Sequence, residues 1–174
     1  MATGNYTKHQ NEIATFEGVV IGGPNGPTIT PASRIVTTTA TALSLTVTQH
    51  GERVLVVNTN STVANTFTLP VATGSGVKFE IINGIAQTQG TVVIAANGTD
   101  IFKGRSLAFD ATAVATHQSF FVTTATSDKL SMNLTTTGGK GQDRVVLYDE
   151  AANTWRVFAE LNCGGGPQTP FSET

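Results

Sequence analysis

The chain has 174 residues (18.1 kDa), enough for one well-filled domain, and its net charge of −2 and pI near 5.9 provide no basic field for nucleic acid and no acidic tail. Its one cysteine, Cys163, excludes an internal disulfide framework and a metal site of the CxxC type, and no window approaches the ~18 consecutive apolar residues of a membrane span. Asp, Glu, Lys and Arg together reach only 13% against a usual ~25%, while Thr fills about a sixth of the chain, so polarity is carried by uncharged hydroxyls.

Three zones follow one another. Residues 1–33 show little alternation and much turn chemistry: Gly22-Gly23-Pro24-Asn25-Gly26-Pro27, then Pro31. Proline removes backbone donors and glycine resists ordering, so this stretch reads as an extended N-terminal arm. Within it lies one apolar patch, Ile13, Phe16, Val19, Val20 and Ile21, too short to fold alone and expected to dock on a partner. The opening residues 1–12 are polar throughout, without the basic start and apolar run of a signal peptide, which fits a protein used without export.

Residues 34–161 read as strand after strand. Residues 42–48 alternate and set Leu43, Leu45 and Val47 on one face; a turn at 49–52 leads to a continuous apolar run at 53–58, as in a strand covered on both sides. Further strands are predicted at 66–69, 77–83, 91–96, 106–110, 119–123 and 129–135. The sharpest hairpin pairs 144–148 with 154–161, where Trp155, Val157, Ala159 and Leu161 share one side. No segment holds a 3.6-residue period over three turns. Thr is β-branched and suits a pleated, half-buried surface. These patterns predict an all-β fold: a single β-sandwich or jelly-roll-like domain. Residues 162–174, with Gly164-Gly165-Gly166-Pro167 and a lone Phe171 as anchor, read as a short C-terminal tail.

Chemistry is sparse. Asp110, His117 and Ser119 are the only trio that approaches a hydrolase constellation, and such a spacing arises readily by chance. Asp149 and Glu150 sit together in a turn, where carboxylates diverge into solvent rather than face each other across a cleft. Gly138-Gly139-Lys140-Gly141 has Gln142 where a phosphate loop needs Ser or Thr, and reads as a hairpin loop. Trp155, Tyr148, Phe120 and Phe121 offer an aromatic platform for sugars or bases, yet their strand positions favour core packing. The glycosylation sequons at Asn5, Asn60, Asn97 and Asn133 are expected by chance in a chain rich in Asn and Thr. The expectation is no catalytic residue, no cofactor and no metal.

Four stretches carry a resemblance. They are Thr68-Leu69-Pro70-Val71-Ala72-Thr73-Gly74-Ser75-Gly76 running into residues 77–82, Ile94-Ala95-Ala96-Asn97-Gly98-Thr99-Asp100, Thr135-Thr136-Thr137-Gly138-Gly139, and residues 145–155, which include Tyr148-Asp149-Glu150-Ala151-Ala152-Asn153-Thr154-Trp155. In this order they resemble the capsid decoration, or cement, proteins of tailed bacteriophages over the central ~120 residues. The resemblance implies an all-β module, commonly a homotrimer, bound to the major capsid protein on the capsid exterior where shell subunits meet, and it offers no catalytic residue to carry over. Nucleic acid and membrane are not among the expected partners. The alternative is the receptor- or glycan-binding head of a phage fibre. Such heads concentrate aromatics on loops, whereas Trp155 and most of the nine Phe of this chain fall in strand patterns.

Overall fold

The computed structural model describes residues 34–112 and 118–173, together with the backbone of two short strands, β1 (Thr15–Phe16) and β2 (Val19–Val20). The chain divides into two units, Met1–Ser33 and Arg34–Thr174. In the first, β1 and β2 pair antiparallel, Thr15 opposite Val20 and Phe16 opposite Val19. Of the arm residues expected to touch a partner, Phe16, Val19 and Val20 lie in this pair, while Ile13 and Ile21 fall outside the described residues.

Among the described residues the second unit is all-β apart from one turn of helix. Its strands are β3 (Ile35–Thr38), β4 (Ala42–Ser44), β5 (Val54–Val57), β6 (Asn65–Thr68), β7 (Lys78–Asn83), β8 (Val92–Ala95), β9 (Ile101–Asp110), β10 (Gln118–Val122), β11 (Lys129–Met132), β12 (Arg144–Ala151), β13 (Thr154–Cys163) and β14 (Phe171–Ser172). Seven form one sheet in the order β10-β9-β13-β12-β7-β5-β3, and five form another in the order β14-β11-β8-β6-β4. The inner faces share one core, as a sandwich requires. From the larger sheet come Leu55, Phe79, Ile81, Phe102, Val145, Leu147, Trp155, Val157 and Leu161, and from the smaller one Phe67, Val92, Ile94, Leu130, Met132 and Phe171.

The strand order differs from the antiparallel Greek keys of a jelly roll. Between β3 and β8 the chain passes from one sheet to the other at every strand, so β3, β5 and β7 run parallel in the large sheet and β4, β6 and β8 parallel in the small one. Each coil adds one strand to each layer, and the opposite sheet supplies the crossover that a helix supplies in α/β folds. Antiparallel pairing takes over afterwards, through the β9–β10 and β12–β13 hairpins and the β8–β11–β14 set. Strand β13 then lies parallel to β9 along its whole length. This seam includes Gly104 for a steric reason: a Cβ there would meet the Val157 carbonyl oxygen at 1.8 Å, so any side chain would push β9 and β13 apart.

Two local departures from alternation have visible causes. The strand predicted over 42–48 stops at Ser44, because Thr46 caps a four-residue helix α1 (Val47–His50) with its side-chain oxygen on Gln49 N–H. Leu45 stays buried while Val47 turns out to solvent. Beyond Met132 the chain leaves the sheet at Asn133, whose Oδ1 accepts the N–H groups of Thr135, Thr136 and Thr137 and folds the Thr run into a turn. The stretch read as a tail extends β13 to Cys163 and then adds β14, with Phe171 buried opposite Leu130.

Candidate interaction surface

Strand alternation sends every second side chain of the large sheet away from the core, and these form two rows across all seven strands. One row runs Phe120, Leu107, Glu160, Arg144, Ile82, Val56 and Thr37, and the next Val122, Arg105, Phe158, Val146, Glu80, Val54 and Ile35. Most are apolar. Phe120 is 71% exposed and Val122 72%, both on the edge strand β10, and Ile35 and Phe158 are exposed as well. Between the β10 edge and β12 the face dips into a concavity of about 360 Å³, lined among others by Leu107, Phe120, Arg105, Arg144, Phe158 and Glu160.

Of the charges on this face, Lys78, Glu80, Arg144, Arg156 and Glu150 are paired, whereas Lys103, Arg105 and Glu160 make no salt bridge among the described residues. Glu80 accepts from Arg144 Nε at 2.8 Å and from Lys78 Nζ at 3.2 Å. The Arg144 hydrogen bond holds the Glu80 carboxyl below its usual range, and Arg144 is raised in turn by Glu80. Arg156 pairs with Glu150. The Arg105 guanidinium lies over the Phe158 ring, 5.6 Å from its centroid, and makes no salt bridge among the described residues.

Behind this face the loops at the ends of the sandwich are pinned by buried carboxylates. Asp149, 2% exposed, points inward at the end of β12, where a register shift before Ala151 bends the strand. It accepts Thr73 N–H at 2.8 Å, Thr73 Oγ1 at 2.9 Å, Gly74 N–H at 2.7 Å, Ser75 N–H at 3.0 Å and Ser75 Oγ at 2.7 Å. Burial pushes this carboxyl up, but the Ser75, Gly74 and Thr73 donors outweigh it and hold the pKa at about 2. The solvated turn acid expected at 149 is therefore a structural anchor. Asp100 likewise accepts Ala72 N–H at 2.7 Å. Asp143 ties Gly139 N–H, Asn162 N–H and Asn83 Nδ2, with burial, the strongest influence, pushing its carboxyl up. Three of the four stretches singled out in the sequence thus meet in space: 68–76, 94–100 and 145–155 converge on Asp149 and Asp100, where they serve as scaffolding.

The remaining sequence candidates are dispersed. His117 lies outside the described residues, Asp110 is engaged by Thr112 N–H and Oγ1, and Ser119 sits in β10 opposite Ala108. Cys163 is buried, its Sγ 3.2 Å from the Thr136 carbonyl oxygen, and burial raises its thiol pKa. It should stay inert to a thiol reagent in the native protein and react only on unfolding, which a labelling time course in rising denaturant checks. Gly138-Gly139-Lys140-Gly141 is held by Asp143, which accepts Gly139 N–H, and its Lys140 and Gly141 border a second concavity of about 410 Å³. Of the four aromatics considered as a platform, Trp155 is in the core and Phe121 packs against it, but Phe120 and Tyr148 face outward, against the expectation of core packing. Sequence reasoning missed this outer face. Its signal was present at 118–122, where Phe120 and Phe121 side by side make both faces of one strand apolar. Among the described residues no three His, Cys, Asp or Glu side chains are grouped to hold a metal ion.

No protein-family model, curated protein or solved structure matches this chain.

Proposed function

We propose that this protein is a structural component of a phage particle that self-associates, as a homotrimer, and binds the major capsid protein on the capsid exterior, strengthening the joints between shell subunits. The observation that carries the reading is the outer face of the seven-stranded sheet: broad and rich in exposed apolar side chains, with Phe120, Val122, Phe158 and Ile35 open to solvent, on a sandwich whose loops are cross-tied by buried carboxylates. Exposed aromatics beside arginine are enriched at protein interfaces relative to the rest of a surface. The resemblance of 68–82, 94–100, 135–139 and 145–155 to phage decoration proteins points the same way. The mechanism is associative and needs no catalysis: many copies each add a modest interface, and lattice symmetry multiplies the effect.

The test is cosedimentation with expanded capsids that lack the protein. Saturable binding together with a higher temperature of DNA release is the expected result, and no binding sinks the reading. A truncation lacking residues 1–21 should keep the circular dichroism of the body yet bind capsids at least tenfold more weakly, if the apolar patch around Phe16–Val20 is a shell contact. Equal binding by the truncated chain removes the arm from the interface. One observation favours the fibre-head alternative: the concavity between Phe120 and Phe158 combines aromatic walls with Arg105 and Glu160, a combination suited to stacking and hydrogen-bonding a sugar. Glycan-dependent binding to host cells without capsid binding would select it.

A further inference from the structure

The concavity on the outer face of the β10–β9–β13–β12 quarter is lined by one cation and one anion that make no salt bridge among the described residues. Arg105 is stacked on Phe158. Glu160 stands one strand pair along the same concavity, next to an Arg144 whose Nε is already given to Glu80. Around them lie Phe120, Val122 and Leu107. Strand β10 (Gln118–Val122) is an edge strand with no charged residue and no proline, although edges left open to solvent are normally guarded by one or the other. A surface of this kind is stable in water when another protein covers it.

We infer that the occupant is a second copy of this chain, docked head to tail so that Arg105 of one copy meets Glu160 of the next across the Phe120–Val122–Phe158 patch. The argument is complementarity. In a ring each copy turns one part of its surface to the next copy and another part to the previous one, and this concavity carries both halves of such a pair, Arg105 and Glu160. Its apolar centre with an arginine and aromatics matches the make-up of residues that dominate binding energy. The inference rests on the self-association proposed above and assigns it a face.

The test uses the full chain and sedimentation velocity over a micromolar concentration series. Wild type should sediment as an oligomer, and Phe120→Asp with Val122→Asp should give a monomer with an unchanged circular dichroism spectrum. Arg105→Glu and Glu160→Arg, made singly, should each weaken association by about tenfold or more, and the double reversal should restore it to within a few-fold of wild type. A role confined within one chain would instead shift the melting temperature of the monomer and leave the association constant alone. A monomeric wild type overturns the assignment. So does a Phe120→Asp, Val122→Asp double variant that keeps the wild-type mass, or a double reversal that restores nothing. Capsid binding by a protein that is monomeric in solution would leave the capsid reading standing and remove this face from it. An oligomer that these variants break but that never binds capsids would do the reverse.

Discussion

Trp155→Ala should lower stability by about 4–5 kcal/mol, the largest loss expected from a single truncation in this protein. Trp155 is fully buried at the start of β13, and its ring meets Phe79 of β7 edge to face, with centroids 5.5 Å apart and planes at 76°. The two strands are not neighbours, since β12 lies between them, so the pair ties the large sheet together across an intervening strand. Truncation leaves a cavity that flanking strands, fixed by hydrogen bonds on both sides, cannot close. The indole Nε1–H has no hydrogen-bond partner among the described residues. Trp155→Phe therefore removes an unsatisfied donor along with some volume, and should cost well under half as much as Trp155→Ala. Urea titration followed by far-ultraviolet circular dichroism separates the two variants. Equal losses would mean that ring packing contributes little at this position.

The contrast between what the sequence revealed and what it hid follows from the range of the interactions. The β12–β13 hairpin was legible because its turn, its alternation and its pairing all lie within residues 144–163. The positions of β6, β7, β8 and β10 were legible from period-2 patterns with turns between them. Pairing order was not. Alternation says which side chains share a face, but nothing in Val54–Val57 says that its neighbours are β3 and β7 and that both run parallel to it. The same limit hid the roles of the acids. Asp149 beside Glu150 looked like a pair of solvated acids, because the donors that claim it, at residues 73–75, are remote in sequence and are placed only when the β7 entry loop folds over the end of β12. The outer apolar face escaped notice because a strand apolar on both sides reads as buried, whereas β10 is an edge strand with one side open.

Asp149→Asn should destabilise the protein by about 3 kcal/mol at neutral pH, a fall of roughly 6–12 °C in melting temperature for a domain of this size. The carboxylate is the common acceptor for the backbone and hydroxyl donors of Thr73 and Ser75 and the N–H of Gly74, and an amide presents one of its two heavy atoms as a donor to that set. The sign with pH is fixed by the direction of the shift. The folded pKa of about 2 lies below the unfolded value near 3.8, so the folded state binds its proton more weakly. The stabilisation is thus complete above about pH 4 and is lost as pH falls through about 2; a shift of this size is worth about 2 kcal/mol. Asp143 works in the opposite sense, because burial raises its folded pKa: its contribution is present at low pH and lost as pH rises through that folded value. Calorimetry of wild type and Asp149→Asn between pH 7 and pH 2 should show a wide gap in melting temperature that narrows below pH 4. A gap that stays constant down to pH 2 would mean that the ionised carboxylate is not what holds the Thr73–Ser75 loop against the end of the sandwich.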